Sequence, residues 1–120
     1  MNQSFLDNKL SLPLVIQPQQ NASLKYLNDW IQENKQQIDA NITKYGAVLF
    51  RGFDVQSPTH FEQIAMAVDN DLKNDYMGTS PRDKKTDYVF SASELPPHYP
   101  IMQHCEMSFL PSAPRRLFFY

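Results

Sequence analysis

The chain is predicted to be α+β, on three observations. Apolar residues recur at helical spacing in two segments before residue 70, an almost wholly apolar run lies between those segments, and the rest of the chain alternates extended stretches with proline-rich turns. With 42% apolar and 20% charged residues the composition is that of an ordinary globular chain, and 120 residues make one domain at most.

Residues 1–20 read as an extended lead-in, within which Leu12-Pro13-Leu14-Val15-Ile16 has the makings of a short edge strand, because proline is tolerated in sheets mainly at edges or strand starts. Pro18 and Gln19-Gln20-Asn21 break it. Asn21 or Ser23 then caps one long helix, with Leu24, Leu27, Ile31, Ile38, Ile42 and Tyr45 on its apolar stripe and Trp30 packing beside it. Gly46 stands just past the last turn, where a left-handed residue is commonly needed.

Ala47 to Phe53 is a strand whose near-continuous apolarity predicts burial on both faces, with Arg51 the exception that needs a partner if buried. Ser57-Pro58 starts a second helix, cap and first-turn proline in order, and Phe61, Ile64, Ala65 and Val68 form its apolar side. Asp69 to Asp87 reads as loop, Tyr88 to Ser93 as a strand, and Glu94 to Pro100 as a rigid loop. Ile101 to Phe109 resumes extended character, and Pro111 to Pro114 turns the chain into a terminal strand.

Charge and cysteine usage exclude several classes. A net charge of -2 and a pI of about 5.8 give no global field towards nucleic acid or anionic membrane, and Arg115-Arg116 is too short for a basic patch. The single cysteine, Cys105, precludes an internal disulfide and fits a reducing compartment. Met1 to Asn8 lacks a signal-peptide pattern, and no apolar run approaches the ~20 residues that span a bilayer. The expectation is a cytoplasmic protein that engages neither nucleic acid nor membrane, with the oligomeric state open. The final Arg115-Arg116-Leu117-Phe118-Phe119-Tyr120 looks like a strand entering a core. A chain that stops there leaves the strand without a following turn, so residues 1–120 are expected to be the N-terminal part of a longer domain.

His104-Cys105-Glu106 carries the most chemical content. On a strand, residues two apart share a face, so His104 and Glu106 project together while Cys105 points away. An imidazole nitrogen and a carboxylate oxygen converging on one point are two of the three ligands of a facial iron(II) site, the other positions staying open to substrate and oxygen. Taken alone the motif is weak, since a surface His and Glu on a half-exposed strand give the same letters.

Longer stretches strengthen it. Lys44-Tyr45-Gly46-Ala47-Val48-Leu49-Phe50-Arg51-Gly52-Phe53, Phe61-Glu62, Ser80-Pro81-Arg82, Ser91-Ala92-Ser93-Glu94-Leu95-Pro96-Pro97 and His104-Cys105-Glu106-Met107-Ser108, in this order, resemble the TauD/TfdA family of iron(II)- and 2-oxoglutarate-dependent dioxygenases. Within that family the branch containing the syringomycin-biosynthesis-type hydroxylases is the most similar. The resemblance implies an incomplete double-stranded β-helix, or jelly roll, with flanking N-terminal helices. It implies His104 and Glu106 as metal and catalytic residues, Fe(II) as cofactor, and 2-oxoglutarate and O2 as cosubstrates in hydroxylating a small organic molecule, such as an amino acid or a carrier-tethered acid. The family often has Asp where this chain has Glu106. It also implies a distal His and an Arg for 2-oxoglutarate, both well downstream of the first His and therefore beyond Tyr120.

The remaining residues have plainer expectations. His60 and His98 read as solvent-facing, and Cys105 as a small buried apolar residue. Arg51 is expected to pair with a carboxylate, Arg82 either to do the same or to hold a substrate anion, Arg115-Arg116 to be solvated, and Phe118-Phe119-Tyr120 to be core. Two rivals stand beside the oxygenase: an inactive truncated or decayed fragment that at most binds a partner, and a zinc site built from His98, His104 and Glu106.

Overall fold

Strand β1 (Asn2–Asp7) and strand β2 (Leu12–Gln17) form an antiparallel hairpin, with Phe5 opposite Leu14 and Asp7 opposite Leu12. The computed structural model describes residues 1–75, 81–92 and 94–120. The Asp7 carboxylate accepts the backbone N–H groups of Lys9 (2.7 Å) and Leu10 (3.2 Å), which folds the connection back on itself. The lead-in is thus a paired strand, although its sequence is polar.

β2 also pairs in parallel with β3 (Val48–Phe50), giving the order β1-β2-β3. β2 is therefore the central strand and not an edge. Leu14, Val15 and Ile16 are all buried, so both of its faces are covered. Pro13 is accommodated because the hairpin register skips it, passing from Leu14 to Leu12. β3 is the shorter and less buried strand, with three half-buried residues where a doubly covered one was expected, because it is paired on one side only. Arg51 is exposed and makes no ion pair among the described residues; its backbone N–H extends the ladder to the Ile16 carbonyl at 3.0 Å.

The long helix is two helices, α1 (Leu24–Glu33) and α2 (Lys35–Tyr45), hinged at Asn34. Asn34 has φ -119°, and its side-chain amide donates to the Trp30 carbonyl at 2.8 Å. That bond competes with helix continuation, a habit of asparagine that the apolar stripe does not reveal. Ser23 caps α1 by accepting the Tyr26 N–H at 3.3 Å, and Gly46 ends α2 at φ +72°, as expected. α3 (Pro58–Val68) starts under the Ser57 hydroxyl, which accepts the His60 N–H at 3.1 Å. The core joins Leu27 and Ile31 of α1, Ile38 of α2, and Ile64 and Ala67 of α3, with Trp30, Phe50 and Phe53 packed around it. Trp30 meets Phe50 edge-on at 6.3 Å.

Beyond α3 the expected strands are absent from the described residues. The Tyr88–Ser93 strand reduces to a single bridge between Lys84 and Phe90, with Ser93 outside the described residues, as is Ser80 of the Ser80-Pro81-Arg82 stretch. Residues 101–105 are irregular and 106–109 form a turn, so His104 and Glu106 are not carried on a strand. The terminal segment forms no ladder either. Leu117 is 47% exposed, Phe119 79% and Tyr120 70%, so the aromatic cluster is not core; Phe118 alone of the three aromatics is half-buried. No partner strand among the described residues reaches this segment, and side chains hold it instead. Arg116 is not solvated but pairs with Asp39 of α2 (3.0 Å) and with Asp69 (3.3 Å), and Tyr120 stacks on Phe61 at 5.5 Å. Among the described residues no helix is long and apolar enough to cross a membrane.

Candidate metal site

The site is assembled from a platform on α3. Glu62, on that helix, accepts the backbone N–H of Tyr88 at 2.8 Å and the hydroxyl of Thr86. These bonds tie a small loop to the helix. Within the loop, Lys85 N–H donates to the Val89 carbonyl (2.8 Å), Asp83 N–H to the Ser91 hydroxyl (2.8 Å) and Ser91 N–H to the Asp83 carbonyl (2.8 Å), while Val89 is buried beneath. Replacing Glu62 with alanine is expected to lower the unfolding free energy by about 1–3 kcal/mol, the cost of stranding a partly buried N–H. A urea titration reads this as a drop in midpoint.

Arg82 leads into this loop. Its two neighbours are fixed by backbone bonds, the Pro81 carbonyl accepting from Glu94 N–H (3.3 Å) and Asp83 bonding Ser91. From there its Nη2 donates to Glu106 Oε1 at 3.1 Å, a contact between side chains only 23% and 18% exposed. The carboxylate-pairing alternative for Arg82 is thus the one realised.

Glu106 presents its other oxygen to His104. Oε2 lies 3.5 Å from His104 Nε2, so the two residues converge although no strand aims them. A turn does it: Leu110 N–H donates to the Met107 carbonyl (3.0 Å), Ser108 N–H to the Cys105 carbonyl (3.3 Å), and Met107 takes φ +49°. The His104 ring is oriented by its other nitrogen, Nδ1, 2.7 Å from the Met102 carbonyl. A carbonyl oxygen only accepts, so Nδ1 carries the proton there, and in the neutral ring Nε2 is a bare lone pair.

Two acceptors then face each other across 3.5 Å. A proton or a metal cation between them relieves the repulsion. Metal–nitrogen and metal–oxygen bonds of about 2.1 Å put two donors on one ion about 3 Å apart at a right angle and about 3.4 Å apart at the tetrahedral angle. The observed 3.5 Å lies near the tetrahedral spacing and is wider than the right-angle spacing of a facial site. His104 borders an open hollow of about 620 Å³ lined by residues 101–105, with Ile101 and Met102 as its apolar wall.

Two donors are not a complete site. No group of three His, Cys, Asp or Glu side chains able to hold a metal forms among the described residues, so His98 does not complete a zinc site with His104 and Glu106. His98 is exposed, its ring against Tyr99 at 5.2 Å. His60 is half-buried rather than exposed, because its Nδ1 accepts the Gln56 N–H (3.3 Å) beside the α3 cap. Cys105 is exposed, not a buried packing residue, since the irregular backbone of residues 101–105 has no sheet face to turn it into. Sequence reasoning missed the platform role of Glu62 and the Met102 carbonyl. An acidic residue adjoining Phe61, on the apolar side of the helix, is the sequence signal for the first; a backbone acceptor leaves none.

The described residues form a small α+β fold in which an imidazole and a carboxylate face each other, a pairing found among the ligands of metal-dependent oxygenases. The model of the family described as taurine catabolism dioxygenase TauD, TfdA family matches residues 8–120, and the chain belongs to that family. It is 37% identical over 98 residues to the clavaminate synthase-like protein of Arabidopsis thaliana, covering 82% of this chain and 30% of that protein. It is 28% identical over 83 residues to the dapdiamide synthesis protein DdaC of Enterobacter agglomerans, covering 69% of this chain and 25% of that one. The chain thus spans less than a third of either relative's length.

Proposed function

We propose that this chain supplies the His104–Glu106 portion of the metal site in an iron(II)- and 2-oxoglutarate-dependent dioxygenase that hydroxylates a small organic substrate. The observation that carries the proposal is the facing of two acceptors, His104 Nε2 and Glu106 Oε2, at 3.5 Å with the imidazole's proton already committed to Met102. Family membership supplies the reaction class. In this reading residues 1–120 belong to a single TauD/TfdA-type domain of the jelly-roll kind, cytoplasmic, whose remaining ligand is a further His and whose 2-oxoglutarate clamp is an Arg, neither of them among these residues.

The chain's own contributions are specific. His104 offers a neutral imidazole in the tautomer that ligation requires, and Met102 fixes the ring's orientation. Glu106 offers a carboxylate whose charge partly offsets that of the cation. Iron(II), when bound, supplies open coordination positions at which 2-oxoglutarate and O2 react and a C–H bond is oxidised. Ile101, Met102 and the open hollow give an apolar approach to the pair.

Anaerobic addition of iron(II) and 2-oxoglutarate to a protein containing the whole domain is expected to produce a weak charge-transfer band in the visible. A folded protein with no such band sinks the proposal. A second reading is favoured by the two-donor site: the 120-residue product is an inactive fragment that at most binds a partner. Oxygen uptake coupled to succinate formation by the 120-residue product itself would overturn that second reading.

A further inference from the structure

We propose that Arg82 is a positioning residue for the metal-facing carboxylate: by holding Glu106 Oε1 it leaves Oε2 turned towards His104. The inference rests on the proposed metal site and adds to it a residue that binds neither metal nor substrate.

Three observations support it. The first is the division of labour at Glu106, where Oε1 meets Arg82 Nη2 at 3.1 Å and Oε2 meets His104 Nε2 at 3.5 Å. A carboxylate gripped at Oε1 by a guanidinium has its rotation about the terminal bond restrained, and a charge-assisted contact restrains it more firmly than a neutral one. The second is shelter. Arg82 and Glu106 are mostly buried while His104 is 58% exposed, so the ion pair lies on the protein side and the imidazole on the open side. Screening by water is weaker on the sheltered side.

The third is the mechanical path. Glu106 sits in a turn with no strand beneath it, so its own backbone gives little rigidity. Arg82, by contrast, is anchored through the 83–91 loop to Glu62 and hence to α3, which packs into the core through Ile64 and Ala67. The ion pair spans 24 positions in sequence and transfers the stiffness of α3 to an otherwise loosely held ligand. Sidedness also follows. A cation entering at Oε2 meets one carboxylate oxygen, because the other is occupied.

The test is a calorimetric titration with cobalt(II), a stand-in for iron(II), on four versions of a protein containing the whole domain. The unsubstituted protein is expected to bind. Arg82→Ala is expected to bind about 10–100-fold more weakly, the usual loss when a partner that orients a ligand is removed. Arg82→Lys keeps the charge and is expected to recover part of that affinity. Arg116→Ala breaks the other partly buried arginine's ion pairs, with Asp39 and Asp69, and is expected to stay within about twofold of the unsubstituted protein, as an independent structural site should. Circular dichroism on each protein separates folding from affinity; if Arg82→Ala does not fold, the Arg82→Lys titration decides, an affinity equal to that of the unsubstituted protein or as weak as background overturning the idea. Unchanged affinity in folded Arg82→Ala overturns the positioning role while leaving the metal site standing. No binding by the unsubstituted protein overturns both.

Discussion

Replacing His104 with alanine is expected to weaken metal binding by more than about 100-fold, beyond the range typical of residues that merely orient a ligand. Among the described residues the imidazole supplies the nitrogen lone pair facing Glu106 Oε2, and alanine leaves these residues offering one carboxylate oxygen. Glu106→Gln is a sharper companion. It keeps the size of the side chain and an acceptor oxygen but removes the charge, so Arg82 loses its ionic partner and the cation its counter-charge together. Both effects are read by cobalt(II) titration and by loss of the visible band with iron(II) and 2-oxoglutarate in the whole domain. Because His104 is exposed, its truncation should leave the unfolding midpoint within ordinary surface-mutation limits, about 0.5 kcal/mol. A His104→Ala protein that binds metal like its parent would remove the site from consideration.

Ile31→Ala is expected to cost about 2–5 kcal/mol of stability, the largest effect foreseen on folding. Ile31 is 0% exposed and sits where α1 meets α2 and α3, among Leu27, Ile38, Ile64 and Ala67. Helices clamped from several sides collapse poorly around a deleted side chain, so the cavity contribution adds to the lost transfer energy. Against a typical total of 5–15 kcal/mol the chain would be left marginal. Urea unfolding should show a lower midpoint at unchanged slope. A change below about 1 kcal/mol would mean that this three-helix contact is not a close-packed core.

Local signals are legible in the sequence where one residue settles its own geometry. Ser23, Gly46, Ser57 and Pro58 mark helix ends by hydrogen bonds or backbone freedom that need no distant partner. Asn34 is the exception that proves how local the competition is. An asparagine inside an unbroken stripe looked like one more polar face residue, yet its side-chain bond to Trp30 ended α1. Strand assignments fared worse, because a strand exists only when another backbone lies alongside. Leu12–Gln17 found two neighbours and became central, Asn2–Asp7 became paired despite polar residues, and the aromatic terminus found none.

The sequence by itself determined the starts of α1 and α3, the apolar stripe that builds the core and membership of the TauD/TfdA family, and it singled out His104 and Glu106 as candidates. Each of those rests on short-range periodicity or on letters in a fixed order. Only the tertiary structure decided that the pair converges through a turn, that Met102 sets the imidazole's tautomer, and that Arg82 holds the far oxygen of Glu106 from 24 residues away. The physical reason is that a side chain's partner depends on where the whole chain brings other atoms, and no periodicity encodes a contact between two irregular segments.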